Sequence, residues 1–264
     1  MIKYSIYTSC FDINKNNFNY WKTTIPKWID FIDDGDKGEI IIAVNNDDDR
    51  TKETLETSFS NKIKIINTSF SYEDYTFDGK IKNAALQECK YEICLGLDLD
   101  EYPSPNKKSW DNVSLKLLNI SKLDAVFIPS IDLCKNYNSY KSVGMKWYMH
   151  KQGLYRGIWE NAKLDNGKID IKKSDTCELL KIKNQLCSSA ALLDQFDELS
   201  IDNIKKYDLP FVIHLGWLDW QNRKNQNQTW QPVWSNRAGY EVKDIMHEEN
   251  QFNNIEVHPH NLDI

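Results

Sequence analysis

At 264 residues, with 41% apolar, 27% charged and 12% aromatic side chains against ten Gly and seven Pro, the chain can bury a large core, and its composition excludes collagen-like, low-complexity and wholly disordered proteins. No apolar run approaches the roughly 18 residues of a membrane span, and the opening MIKYSIYTSCFD turns polar within four residues, so neither span nor signal peptide is expected and a cytoplasmic location follows. The net charge of −6 is unevenly spread: residues 1–134 carry 16 basic and 22 acidic groups, 135–183 carry 11 and 5, and 184–264 carry 6 and 12.

Lys3 to Cys10 alternates aromatic and β-branched residues with polar ones, the pattern of a strand. Phe18, Trp21, Ile25, Trp28, Ile29 and Ile32 recur at helical spacing and predict an amphipathic helix over Asn16–Asp33, with Pro26 as a point of kinking. Glu39–Val44 is short and uniformly apolar, a buried strand, followed by a polar turn and cap at Asn45–Asp49. A helix over Arg50–Ser58, a strand over Lys62–Asn67, a helix over Gly79–Cys89 and a buried strand over Glu92–Leu99 complete a β-α-β-α-β-α-β order. Such alternation implies a mainly parallel sheet flanked by helices, because each parallel crossover needs a helix to return the chain. Ligands in such sheets gather beyond the carboxyl ends of the strands, here Thr8–Asp12, Asn45–Asp49, Thr68–Phe77 and Asp98–Glu101.

The second half reads differently. Asp124–Leu133 is a strand, but Tyr137–Leu186 breaks into short pieces with turn signals at Gly144, Gly153 and Asp165-Asn166-Gly167. A last strong strand covers Phe211–Leu215, and residues 241–264 form a polar tail. Six cysteines show no CxxC spacing, and Cys89, Cys94 and Cys134 lie in apolar segments, so they read as reduced core thiols rather than zinc ligands.

The segment Asp98-Leu99-Asp100-Glu101 ends a buried strand in three carboxylates. Alternate residues of a free strand face opposite ways, so Asp98 and Asp100 can serve one ion only where the chain turns, and Pro103 and Pro105 supply a turn. Clustered carboxylates repel, and a hard cation such as Mg2+ or Mn2+ relieves that cost. The order K-x-x-N-A-A-L (Lys80, Asn83), strand, D-x-D-E over residues 3–134 resembles the nucleotide-sugar-binding core of GT-A fold glycosyltransferases, the family 2-like group in particular. The resemblance implies a single α/β, Rossmann-like GT-A domain over 1–264, with a donor half at 1–134 and an acceptor half at 135–240. It implies a metal held by Asp98, Asp100 and His214, the histidine coming from the late strand Val212-Ile-His214-Leu-Gly. Donor contacts implied by position are Thr8, Ser9, Cys10, Asn45, Lys80, Asn83 and Asp98, with Arg223 and Lys224 on a segment that closes over the departing diphosphate.

An inverting enzyme needs a carboxylate to deprotonate the acceptor hydroxyl, and Asp175 and Glu178, beside the basic hairpin, are the candidates, with Asp194 and Asp197 behind them. Tyr155 and Trp159, flanking Arg156, offer aromatic faces for an acceptor. The function expected is metal-dependent transfer of a sugar from a nucleoside diphosphate sugar, UDP-linked in the first instance, to a hydroxyl of a glycan or other small acceptor, with Mn2+ or Mg2+ as cofactor. The basic 135–183 segment leaves open an acceptor of modified DNA, although four arginines and a pI near 5.5 disfavour extended duplex contact. A non-catalytic sugar-binding module is the remaining alternative.

Overall fold

The computed structural model describes residues 2–10, 12–14, 19–33, 38–46, 50–71, 77–121, 125–153, 155–156, 164–165, 168–169, 180–182, 185–186, 200–219, 257–260 and 262. The first hundred residues alternate as expected: β1 (Tyr4–Cys10), α1 (Trp21–Asp33), β2 (Gly38–Asn45), α2 (Thr51–Phe59), β3 (Lys64–Thr68), α3 (Phe77–Gln87) and β4 (Ile93–Gly96). There follow β5 (Glu101–Pro103), α4 (Lys107–Asn119), β6 (Ala125–Cys134) and β7 (Ser139–Lys151). Short strands β8 (Tyr155–Arg156), β9 (Leu164–Asp165), β10 (Lys168–Ile169), β11 (Leu180–Ile182) and β12 (Gln185–Leu186) come next, then α5 (Ile201–Lys206), β13 (Val212–Trp217) and β14 (His258–Pro259).

The main sheet has the order β3-β2-β1-β4-β7-β6-β13-β5, with β14 beside β7. β1 to β4 are mutually parallel, β7 runs against both β4 and β6, β13 runs with β6, and β5 runs against β13. The sheet is therefore mixed, parallel in the donor half and interleaved with antiparallel strands in the second. β1 has β2 on one side and β4 on the other, so the chain leaves it in both directions, and the crevice outside such a switch point is where this architecture takes ligands.

Alternation along the parallel strands feeds two cores. Tyr4, Ile6, Ile40, Ile42 and Val44 pack with Trp21, Ile25 and Trp28 of α1 and Trp110 and Leu117 of α4; Tyr7, Ile41 and Ala43 pack on the other face with Ile81, Ala85 and Leu86 of α3. Cys10, Cys89, Cys94 and Cys134 are all buried. The neighbouring Cys89 and burial push the Cys94 thiol far up, so it stays protonated.

Several sequence expectations change. α1 starts at Trp21 rather than Asn16, with Pro26 inside it. Gly144 is no turn: it lies in the middle of the 13-residue β7, paired with Ser130. Polar and basic residues alternating along that strand hid it, because its rim end carries few apolar anchors. The last strand extends to Trp217, and the polar tail contributes β14, which pairs His258 with Tyr140. At the Asp165-Asn166-Gly167 signal, Lys168 pairs with Asp165 across β9 and β10, and Asn166 and Gly167 lie outside the described residues. Among the described residues no helix is long and apolar enough to cross a membrane.

Candidate functional site

The carboxyl ends of β1, β2, β4, β6 and β13 share one rim with the start of β5. Between β4 and β5 the chain reverses at Asp98–Glu101, before the prolines expected to turn it; Pro103 lies in β5. Two reciprocal contacts close the turn: the Glu101 N–H donates to the Asp98 carbonyl at 2.9 Å, and the Asp98 N–H to Glu101 Oε2 at 2.9 Å. Three successive carbonyls are then clamped from outside. Thr24 Oγ1 donates to Leu99 O (2.7 Å), the Leu215 N–H to Asp100 O (2.8 Å) and Trp28 Nε1 to Glu101 O (2.7 Å). A turn with every carbonyl engaged holds its side chains without reorganisation.

Those side chains meet β13. His214 Nε2 lies 3.2 Å from Asp100 Oδ2, its Nδ1 lies 2.7 Å from Asp132 Oδ1, and Ser142 Oγ donates to Asp132 Oδ2 at 2.5 Å. Burial alone would lower the imidazole pKa, but the carboxylates of Asp100, Asp132 and Glu101 outweigh it and push it up to about 10. At neutral pH the ring is therefore an imidazolium shared between two carboxylates. Gly216 makes this approach possible: a Cβ there would stand 2.6 Å from His214 Nε2 and 2.9 Å from Asp100 Oδ2. Asp98 faces elsewhere. Its Oδ1 is 2.8 Å from Lys82 Nζ, a lysine almost buried on α3.

The arrangement admits a divalent cation in place of the Nε2 proton. The 3.2 Å between Asp100 Oδ2 and His214 Nε2 is close to the roughly 3 Å separating adjacent ligands of an octahedral ion with bonds of about 2.1 Å. Asp132 on Nδ1 supplies the outer carboxylate that orients a metal-binding histidine. Among the described residues, no three His, Cys, Asp or Glu side chains converge on one point, so the expected set of Asp98, Asp100 and His214 divides into a facing pair and a lysine-bound acid.

The remaining donor candidates are built into the other end of the rim. Thr8 and Cys10 are buried and Ser9 is half-buried. The Asn45 amide is engaged with the loop after β3: its oxygen accepts from Thr68 Oγ1 (2.9 Å) and the Phe70 N–H (2.8 Å), and its nitrogen donates to Phe70 O (3.0 Å). On α3, Lys80 is half-buried and Asn83 buried. Tyr155 and Arg156 form β8, which pairs with β11. Trp159, Asp175, Glu178, Asp194, Asp197, Arg223 and Lys224 lie outside the described residues.

Sequence reading missed Asp132 and Lys82. Asp132 had a signal, a lone acid in the apolar run Ala125–Cys134, and so did Lys82, two residues from the chosen Lys80. Gly216 was visible as the glycine that follows the His214 strand, but its steric role depends on two side chains meeting from distant strands.

No protein-family model matches the chain, and no curated protein matches it. Among solved structures it is similar to S. aureus TarS 1–349, at 15% identity and a TM-score of 0.39 over 96% of this chain and 71% of that one. The same protein in complex with UDP-GlcNAc matches at 18% identity and a TM-score of 0.34, over 51% of this chain and 35% of that one. The mannosyltransferase PcManGT from Pyrobaculum calidifontis, in complex with GDP-Man and Mn2+, matches at 14% identity and a TM-score of 0.34, over 50% and 35%. The chain thus spans about a third of the TarS chain seen with UDP-GlcNAc.

Proposed function

We propose that this protein is a metal-dependent glycosyltransferase of the GT-A type, moving a sugar from a nucleoside diphosphate sugar to a hydroxyl acceptor. The observation that carries the reading is the facing of Asp100 and His214 over Gly216 at the carboxyl rim of the sheet, with Asp132 fixing the imidazole. One carboxylate and one imidazole leave most of an ion's coordination to diphosphate oxygens and water, the usual way Mg2+ and Mn2+ attach nucleotides to proteins. Such an ion, when bound, would supply charge neutralisation for the departing diphosphate.

This chain's own residues then divide the work. Asp100 and His214 fix the place of the diphosphate, Asp132 and Ser142 hold the ring, and the clamped turn keeps the carboxylate from relaxing away. Asp98, neutralised by Lys82, lies at the end of β4 beside the switch point and is positioned for the sugar–ribose side of the donor. The acceptor base falls to Asp175 or Glu178, with Tyr155, Arg156 and Trp159 on the acceptor and Arg223 and Lys224 over the donor. A UDP-sugar is the first donor to examine.

The test is thermal denaturation with UDP or GDP, with and without Mn2+, alongside hydrolysis of the corresponding sugar nucleotides. A ligand that binds only the folded state raises the melting temperature. The proposal expects a rise that needs nucleotide and Mn2+ together and slow Mn2+-dependent donor hydrolysis. Equal stabilisation in excess chelator contradicts the metal, and stabilisation without any hydrolysis turns the reading to a sugar-binding module.

A further inference from the structure

Beyond the Asp100–His214 pair the same rim carries a second feature, to which the proposed function assigns no part. In the β6–β7 ladder Asp132 pairs with Ser142 but Leu133 pairs with Tyr140, which leaves Lys141 as an extra residue. In the β13–β6 ladder His214 pairs with Asp132 and Trp217 with Cys134, which leaves two residues, Leu215 and Gly216, opposite one. Bulges of this kind re-aim side chains. Here two at the same level bring Lys141 and Trp217 together, with the Lys141 ammonium 3.5 Å from the centroid of an indole ring. Asp132 and Cys134 are two apart on one strand and share a face, so the pair lies beyond His214 toward the rim, roughly 7 Å along the strand.

Among the described residues the lysine is held as a cation without an anion. Among the described residues no acid lies within ion-pair distance of Lys141 or of Lys135. Lys135 is exposed, sits in the left-handed region at φ 67° and donates its N–H to the Trp217 carbonyl at 3.4 Å. Both ammonium groups act on the one thiol of Cys134, against the burial and the Asp132 carboxylate that push it up. After Asp132 the chain has no acidic residue until Glu160, while Lys135, Lys141, Lys146, Lys151 and Arg156 intervene. In a protein of net charge −6 a lysine with a structural role alone would normally meet one of the many carboxylates. Stacking on an indole instead orients an ammonium while leaving its charge unspent.

We propose that Lys141, seated on Trp217 and backed by Lys135, binds an anionic group of the acceptor, a phosphate or carboxylate, beside the transfer site. The proposal rests on the transferase reading for the place of the acceptor, but the anion site itself is defined by these residues alone. It selects acceptors in which the reacting hydroxyl is separated from an anionic group by about the 7 Å between the two features.

The test uses glucose 6-phosphate and glucose as paired probes, titrated calorimetrically into the full chain saturated with UDP and Mn2+, at 50 and 200 mM salt. Wild type should bind the phosphorylated sugar about tenfold more tightly, a preference that shrinks at the higher salt. Lys141→Gln and Lys135→Gln should each remove about three- to tenfold of it, Lys141→Arg should keep most of it, and Lys3→Gln, which loses an equivalent charge stacked on Tyr91 elsewhere in the fold, should change nothing. No preference in wild type, or a preference that survives Lys141→Gln, overturns the proposal. So does a fall in the UDP–Mn2+ thermal shift of Lys141→Gln, since the anion would then be the donor's diphosphate. Failure of UDP and Mn2+ to stabilise wild type at all refutes the transferase reading, while a phosphate preference lost in Lys141→Gln would still uphold the anion site.

Discussion

The two ends of the rim treat their polar residues in opposite ways. At the β1–β2 end Thr8 and Cys10 are buried, and Asn45 satisfies its amide against the loop at Thr68–Phe70. At the β13–β5 end Asp100, Asp132 and Glu101 crowd round a single imidazole. Neutral groups with complete hydrogen bonds build architecture. Carboxylates gathered round an imidazolium hold charge that a ligand can meet, and shifted titratable groups of this kind concentrate at functional sites.

That contrast can be broken most sharply at Asp100. Asp100→Asn keeps the shape and removes an anionic ligand, so donor hydrolysis should fall by about 10²–10³-fold. The unbound protein should lose about 1–3 kcal/mol in urea unfolding, because His214 already relieves the carboxylate repulsion and would lose a partner. A correctly folded variant with near wild-type hydrolysis would remove this end of the rim from the chemistry.

Gly216→Ala is next. A methyl group 2.6 Å from Nε2 must push the pair apart, so the concentration of Mn2+ giving half-maximal hydrolysis should rise by about tenfold or more, with overall secondary structure unchanged by circular dichroism. Asp132→Asn leaves both facing atoms in place and loosens only the ring's support. Loss of an outer carboxylate typically costs 10- to 100-fold in metal affinity, and about that change is expected in Mn2+ titrations with UDP present. The smallest functional effect should come from the other end. Asn45→Ala should cost about 1–3 kcal/mol of stability while changing UDP–Mn2+ affinity by less than about threefold. A tenfold loss of affinity there would make Asn45 a nucleotide contact and dissolve the contrast.

How much of this was legible in the chain varies with the distance between partners. The parallel half could be read because Ile6, Ile40–Val44 and Ile93–Leu95 announce strands locally, and helices between them dictate parallel crossovers. β7 escaped notice because its partners on β4 and β6, not its own polar sequence, make it a strand. Asp100 and His214 were legible as an acid at a strand end and a histidine in an apolar strand. Their meeting, and the part of Asp132 and Gly216 in it, depends on pairing between β6, β13 and β5, which no local pattern encodes. Asp98 and Asp100 part because the turn comes before Pro103, which sends the two carboxylates of the D-x-D to different partners.

Pulsed electron paramagnetic resonance of the protein with one equivalent of Mn2+ and excess UDP tests the central claim most directly, because nitrogen modulation reports an imidazole bound to the ion. Wild type should show it, and His214→Gln should lose it while the phosphorus coupling from UDP persists. A wild-type spectrum without nitrogen modulation, or one unchanged in His214→Gln, would contradict the assignment of Asp100 and His214 as the pair that holds the metal.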